Sequence, residues 1–305
     1  MIISYIGVGI SDDRNVPVFV VTWKAVSVSG VGVAPCQSGP MTPLSEYDLR
    51  AERFEATYRI RAADSGADSR VRLDAMARYL QDIAADMIEA SDFHRTDPFW
   101  ILRRVIIDVH RPIVAPGDVR VSRWCNATST RWITMRQTIE GVPEPAPDGR
   151  AAGEPGLVET ESFCIKVNLE GGMSRISDEA LASLNATVDE TRLRWRAMNS
   201  AEVPADASTT GFAARASDID MFGHVNNAIY WQIVETEIGD HRDLIDAPHR
   251  AVVEYLRAIP PATDVAVRIH RDADRLGFWV MLDDDTVAAT ISIAPLETSA
   301  DSSAG

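Results

Sequence analysis

Cysteine is scarce in this 305-residue chain: the three thiols, Cys36, Cys125 and Cys164, show neither pairing nor metal-ligand spacing. A disulfide framework and a zinc cluster are therefore excluded, and a reducing compartment is the expected setting. Cys164 alternates with Phe163 and Ile165 in a strand-like run, which predicts a buried apolar residue rather than a reactive thiol. Positive charge is also short, with 30 Lys and Arg against 45 Asp and Glu and a formal net charge of −15. Phosphate contacts need clustered cations, so this balance argues against a nucleic-acid partner. No apolar run reaches the roughly 18 residues of a membrane span. The longest candidate, 16–33, is broken by Lys24 and several Ser and Gly, and the first residues lack the basic stretch of a secretory leader. The chain accordingly reads as cytoplasmic, with no stable membrane insertion. Its 46% hydrophobic and 25% charged residues are ordinary for globular protein, enough for one large or two small cores. No metal or organic cofactor is implied.

What the chain does have is SDIDMFGHVNNAIYWQIVE, from Ser217 to Glu235. FAARASDID alternates like a half-buried strand, with Asp220 expected at its end. Val225, Ala228, Ile229, Trp231, Ile233 and Val234 then supply an apolar helical face, with Asn226 or Asn227 placed to cap the first turn. Gly223 sits between the two elements, where a positive φ lets strand and helix crowd one small volume. An acid, an imidazole and the N–H groups of a helix N-terminus would then face one point, suited to a carbonyl gaining negative charge. Each residue has a plainer role open to it. Asp220 could be a cap, His224 structural, Asn226 and Asn227 turn residues, and Tyr230 and Trp231 core. The combination, in order, is what capping alone does not require.

D-M-F-G-H-V-N-N followed by A-I-Y-W-Q resembles the second-half motif of the acyl-ACP thioesterases, the double-hotdog family. F-W-I-L-R-R-V-I-I-D-V-H-R-P (Phe99 to Pro112), P-G-D-V (Pro116 to Val119) and M-S-R-I-S-D-E-A (Met173 to Ala180) resemble its first half, so the likeness spans about 52–296. The His-Val-Asn-Asn core is shared with single-hotdog acyl-CoA thioesterases; the two-half layout separates the families. The resemblance implies an α+β fold of two tandem hotdog domains, each a curved antiparallel sheet wrapped around a central helix.

The pattern along the chain is consistent with that layout. FEATYRIRAADSGADS reads as a strand and polar turn, and VRLDAMARYLQDIAADMIEAS as a helix buried along Val71, Leu73, Met76, Tyr79, Leu80, Ile83, Ala84 and Met87. Strand-like runs follow in each half: WILRRVIIDVHR, DVRVSRWCNAT, RWITMRQTIEG and VETESFCIKVNL, then AVVEYLRAI, DVAVRIHRDA, GFWVMLDD and TVAATISIAPL. The turn after the first strand offers Asp64, Ser65, Asp68 and Ser69 but no histidine or asparagine, so the first half reads as a binding wall. The expected divisions are an N-terminal extension over 1–47, disordered or a mispredicted start ahead of Met41, a first hotdog over 48–185, a linker over 186–210, a second hotdog over 211–297 and a disordered tail over 298–305. Within the linker ETRLRWRAM is expected as a short basic helix. The stretch 142–156 is expected as an enlarged hairpin loop.

The chemistry implied is hydrolysis of fatty acyl-ACP or acyl-CoA, in fatty acid biosynthesis. Thiolate is a good leaving group, so the burden falls on attack and on charge at the oxygen. Asp220 is the candidate for orienting or deprotonating water or for attacking directly. His224, near pKa 6.5 if unperturbed, would share a proton. Asn226 completes the catalytic set, with Asn227 and Glu254 as weaker candidates. Gly223 and Val225 are assigned to the oxyanion site at the helix start. Met76, Leu80, Trp100 and Phe222 are assigned to substrate binding. The chain departs from the plant-type D-x-N-x-H, having Phe222 at the middle position, and Ala258 with Ile259 stand where that family carries a carboxylate and often a cysteine. Glu254 or Glu235 could substitute. Acyl carrier protein is acidic, so Arg192, Arg194 and Arg196, with Arg103 and Arg104, are candidates for its docking patch; a solvated face is the alternative. Two fused units would mimic a dimer, giving a monomer or a homodimer. A catalytically weak acyl-binding protein and a hotdog hydratase remain open.

Overall fold

A computed structural model of the chain describes Leu44 and residues 52–145, 149, 151–168, 171–283 and 286–296. Apart from Leu44, the expected N-terminal extension with its Met41 start, and the tail from 297, lie outside the described residues. The first half runs β1 (Phe54–Arg59), α1 (Leu73–Ala90), α2 (Phe93–Thr96), β2 (Trp100–Arg111), β3 (Gly117–Thr128), β4 (Trp132–Pro143), β5 (Leu157–Lys166) and α3 (Asp178–Asn185). The second runs β6 (Ser208–Ala213), α4 (Ile229–Glu237), α5 (Arg242–Ile245), β7 (His249–Tyr255), β8 (Asp264–Asp272), β9 (Arg275–Asp283) and β10 (Thr286–Pro295). Ten strands form one antiparallel sheet in the order β1-β3-β4-β5-β2-β7-β10-β9-β8-β6. Each half has the same internal order about the β2–β7 seam. This is a mixed fold with a large antiparallel sheet and few helices, and its two halves are tandem hotdogs.

The strands form where side chains alternate. In edge strand β1, Phe54, Ala56 and Tyr58 turn inward while Glu55, Thr57 and Arg59 are exposed. α1 buries Leu73, Met76, Tyr79, Leu80, Ile83 and Ala84 at helical spacing, and fully burying a side chain such as Ile83 contributes about 1.5–3 kcal/mol. α4 buries Ile229, Tyr230, Trp231, Ile233 and Val234. The two helices lie side by side and antiparallel. Leu73 N–H donates to Glu235 at 2.7 Å, Gln232 to Asp74 at 3.2 Å and Gln81 to Asn226 at 3.1 Å. Residues of both helices and of strands from both halves share one core.

The linker crosses the other face of the sheet and differs from expectation. No helix forms over ETRLRWRAM; the segment is extended. Its alternation explains why. Leu193 and Trp195 pack on Phe163, Ile165 and Val167 while Arg192, Arg194 and Arg196 are exposed; in a helix, residues two apart diverge by about 200° and could not share a face. Trp132 Nε1 donates to the Leu193 carbonyl at 2.8 Å and Leu193 N–H to Thr128 at 2.9 Å. Because the linker covers the seam, all seven residues of β7 are buried. Two charged pairs lie on this face, one under the linker and the other beside Leu44, whose N–H donates to Asp108 at 3.1 Å. Arg250 makes a bidentate bond to Asp108, 2.6 Å to each oxygen, and Arg104 reaches Glu254 at 3.3 Å. Each pair joins residues directly opposite in the β2–β7 register.

Candidate active site

Asp220 does not end a strand. β6 stops at Ala213, and a 3-10 turn over Ala216–Asp218 intervenes, its buried Asp218 carboxylate accepting Arg215 N–H at 2.8 Å. Beyond it Ile219 bridges to Val225, closing a tight loop. Asp220 N–H donates to the His224 carbonyl at 2.8 Å and Gly223 N–H to the Asp220 carbonyl at 3.0 Å. The Asp220 carboxylate accepts Phe222 N–H at 2.9 Å and His224 N–H at 3.3 Å, both on Oδ1. Acid and imidazole are thus the two ends of one turn. Gly223 has φ +77° with nothing near its would-be Cβ, so the position requires glycine for its dihedral and not for space.

His224 is half-buried. Burial holds its pKa below the usual 6.5, opposed by the negative charge of Asp220. At neutral pH the ring is therefore neutral, able to accept a proton and to hold it beside a carboxylate.

The helix begins later than the asparagines suggest, at Ile229. Asn226 Oδ1 accepts Ala228 N–H at 2.9 Å and Gln81 Nε2 at 3.1 Å, so Asn226 closes the turn and ties it to α1. Asn227 accepts the Tyr255 hydroxyl on its carbonyl at 3.1 Å. The oxyanion role expected of Gly223 and Val225 is not open to their amides. Gly223 N–H is held by Asp220, and Val225 N–H donates to Ile259 at 3.0 Å. That last bond also sets residues 258–259 beside His224, so the absent carboxylate at Ala258 is an absence at the site itself.

Just past the turn, Asn227 lines a narrow cavity with Leu80, Gln81, Leu102, Arg123 and Tyr255, among others, drawing on both halves. A second is lined by Met87, Trp100, Arg123, Met135, Cys164 and neighbours. Leu80 and Trp100 are therefore cavity walls. Met76 is instead packed in the shared core, and Phe222 is half-exposed and lines neither cavity. Gln81, Tyr255 and Arg123 were not legible as site residues, since each reaches the site only through sheet and helix packing.

Other candidates lie elsewhere. Glu254 is on the opposite face of β7 from Tyr255, accepting Met198 N–H at 2.9 Å and Asn199 N–H at 3.3 Å besides Arg104. It anchors the linker and cannot serve the turn. Arg104 is buried in that pair, and Arg103 is held by the Tyr255 carbonyl and stacked on Trp195 at 5.2 Å, so neither belongs to a surface patch. Glu235 faces the start of α1, at Leu73. Leu73 and Gln81 are separated by about 12 Å of helix at 1.5 Å per residue, which puts Glu235 at the far end of the helix pair from Asn226. Cys164 is fully buried and burial pushes its thiol pKa up, as befits an inert wall residue.

The first half repeats the turn without its chemistry. Ser65 bridges Val71, Gly66 N–H donates to the Arg70 carbonyl at 2.9 Å, and Ser69 takes a positive φ of 65°. Gly66 thus stands at the position of Asp220 and Arg70 at that of His224. Arg70 pairs with Asp246 at 3.1 Å and Arg242 with Asp68 at 3.0 Å, which fills this end with ion pairs. Here Glu235 is pushed up to about 7, chiefly by burial. A carboxyl with raised folded pKa favours the fold most below its unfolded value of 4.5, and that contribution is lost as pH rises through about 7. Glu235→Gln is therefore expected to stabilise the protein at pH 8 by about 1–3 kcal/mol and to be near neutral at pH 4.5, read by urea unfolding at both pH values. Equal effects at the two pH values would refute it.

Profiles of the acyl-ACP thioesterase N-terminal and C-terminal domains match residues 51–184 and 201–293. An uncharacterized Mycobacterium tuberculosis protein is 35% identical over 239 residues, covering 78% of this chain and 90% of its own. The crystal structure of a putative oleoyl thioesterase from Lactobacillus plantarum superposes with a TM-score of 0.64 at 18% identity, covering 82% of this chain and 99% of its own. The 12:0-ACP thioesterase from Umbellularia californica gives 0.58 at 17% identity, with coverages of 79% and 93%.

Proposed function

The chain belongs to the acyl-ACP thioesterase family and is a thioester hydrolase by that membership; on this premise we propose that it cleaves fatty acyl-ACP to free fatty acid and carrier thiol in the cytoplasm, at Asp220 and His224. The observation that carries the reading is the Ile219–Val225 loop, which sets an acid and a neutral imidazole just ahead of Asn227 and the first turn of α4, Asn227 being the residue that lines the two-half cavity.

In the proposed cycle the acyl chain lies in the first half, with its thioester carbonyl near Asn227. Asp220 orients water through Oδ2 while Oδ1 holds the loop. His224 takes a proton from that water as its oxygen adds to the carbonyl carbon, and the charge of Asp220 stabilises the imidazolium. The tetrahedral oxyanion faces the positive end of α4, whose field stabilises it while the Ala228, Ile229 and Trp231 N–H groups stay bonded within the turn. Collapse breaks the C–S bond, and the imidazolium returns the proton to the thiolate. Asn226 and Gln81 hold the helix start in place. One chain supplies both halves of the site, so a monomer suffices.

Carrier preference rests on Arg192, Arg194 and Arg196, which project together from an extended segment into solvent and offer local positive charge on a chain of net charge −15. The test is thiol release from acyl-ACP and acyl-CoA over a range of chain lengths. Reversing the three arginines to glutamate is expected to raise KM for acyl-ACP about tenfold or more at low salt and to change KM for acyl-CoA little. Equal changes on both would remove the docking role. Absence of thiol release from any acyl thioester would remove the proposed reaction.

A further inference from the structure

The two cavities beside α1 meet at one residue, Arg123 of β3, which lines both. Its side chain is almost wholly buried, with 4% of the residue exposed. It points to the sheet face that also carries Val121 and Cys125, toward α1 and away from the seam pairs. Among the described residues it joins no ion pair with a carboxylate; its partners are the Cys164 thiol and, with the Gln137 amide turned, the Gln137 oxygen. Gln137 lies opposite Arg123 in the β3–β4 register, and Thr160 lies opposite Gln137 on β5; with the amide so turned, the Gln137 nitrogen donates to Thr160 Oγ1 at 2.6 Å. Ser162 lines the cavity next to Arg123. A polar strip therefore crosses an apolar pocket built from Leu80, Leu102, Met87, Trp100 and Met135.

A guanidinium has five donors and stays charged. Burial without a counter-ion is costly unless those donors are met, and an all-methylene chain would meet none of them. Arg123 is also not a stopper closing a dry pocket, because a second apolar chamber continues past it to Met87 and Met135. The chambers measure about 20 and 30 Å³, so a bound chain must turn flexible side chains such as Met87 and Met135 aside. It would then run directly past the guanidinium.

Resting on the thioesterase reading, we propose that Arg123 is a specificity residue and that the preferred substrates are acyl chains bearing an acceptor oxygen, a hydroxyl, keto or carboxylate substituent, along the chain. The thioester carbonyl reacts at Asn227 while the second oxygen is held by Arg123, with Ser162 and Gln137 beside it. A site built to bond a substrate oxygen rejects the analogue lacking it strongly, whereas an added methylene changes affinity only modestly.

Two measurements test this. The first compares kcat/KM for unsubstituted acyl thioesters with hydroxy-, keto- and carboxy-substituted ones of equal length, in the wild type and in Arg123→Met and Arg123→Lys. The wild type is expected to favour at least one oxygenated series by about tenfold or more, Arg123→Met to reverse that preference, and Arg123→Lys to retain part of it. The second measures binding of the corresponding free acids to His224→Ala by quenching of tryptophan fluorescence, Trp100 being a wall residue. Preference for oxygenated acids there, lost on adding Arg123→Met, supports the inference even if no thioester is cleaved. Thermal melts establish that each variant is folded. Preference for plain chains by the wild type in the first measurement and by His224→Ala in the second, or a preference unchanged on Arg123→Met, overturns it.

Discussion

Replacing His224 or Asp220 by alanine is expected to lower kcat/KM for thioester hydrolysis about 10²- to 10⁴-fold, with the double variant little worse than the poorer single one, because the two act on one proton. Asp220→Ala alone is ambiguous, since the carboxylate also accepts two backbone N–H groups and its loss loosens the turn. Asp220→Asn separates the roles. The amide oxygen can still accept both bonds, so a purely structural aspartate would tolerate the change, while one that orients water and stabilises an imidazolium would not. Activity within about twofold of wild type in Asp220→Asn would reduce Asp220 to a turn residue. The pH profile adds a second check. Because burial lowers the pKa of His224, the neutral base is present above that lowered value, and the acid limb of kcat/KM should fall below pH 6.5 and move or disappear in His224→Ala.

The largest stability effect is expected at the seam. Asp108 is fully buried and bonded twice to Arg250, so Asp108→Ala leaves a guanidinium without its partner at 8% side-chain exposure. A loss of about 3–5 kcal/mol is expected from urea unfolding. Replacing both members by apolar residues of similar size, Asp108→Leu with Arg250→Met, should cost much less, because the orphaned guanidinium is removed with its partner. A double variant as unstable as Asp108→Ala would mean the pair itself, rather than the orphaned charge, dominates. A second pair of directly opposed charges, Arg104 and Glu254, joined by one longer contact, flanks the Ile106–Val252 position of the register together with Asp108 and Arg250. These four charges favour one alignment of β2 on β7, since slipping the strands would separate both pairs under a dry cover.

Several elements were legible because their signal is local. The inward alternation of Phe54, Ala56 and Tyr58, the helical stripe from Leu73 to Ile83 and the glycine at 223 each follow from residues within a few positions of one another. Where the reading departed from the structure, a local cue competed with distant packing. The linker arginines suggested a basic helix, but Leu193 and Trp195 are drawn onto Phe163 and Ile165, which favours extension. Glu254 resembled a spare carboxylate next to a familiar strand motif, yet strand alternation turns it from Tyr255 to the other face, where Arg104 and two linker amides hold it.

By itself the sequence determined the strand runs, the helix that opens each half, the two-half plan and the presence of an acid, an imidazole and two amides around a glycine turn, because periodicity and turn chemistry act over a few residues. Only the tertiary structure decided which polar groups share a compartment. It brought Gln81 to Asn226 and Tyr255 to Asn227, set Arg123 between two cavities, gave the ends of the helix pair different roles and used Glu254 to fasten the linker. Those outcomes depend on how ten strands register and on which face of the sheet the linker covers, and contacts between residues so far apart in the chain leave no mark in local spacing.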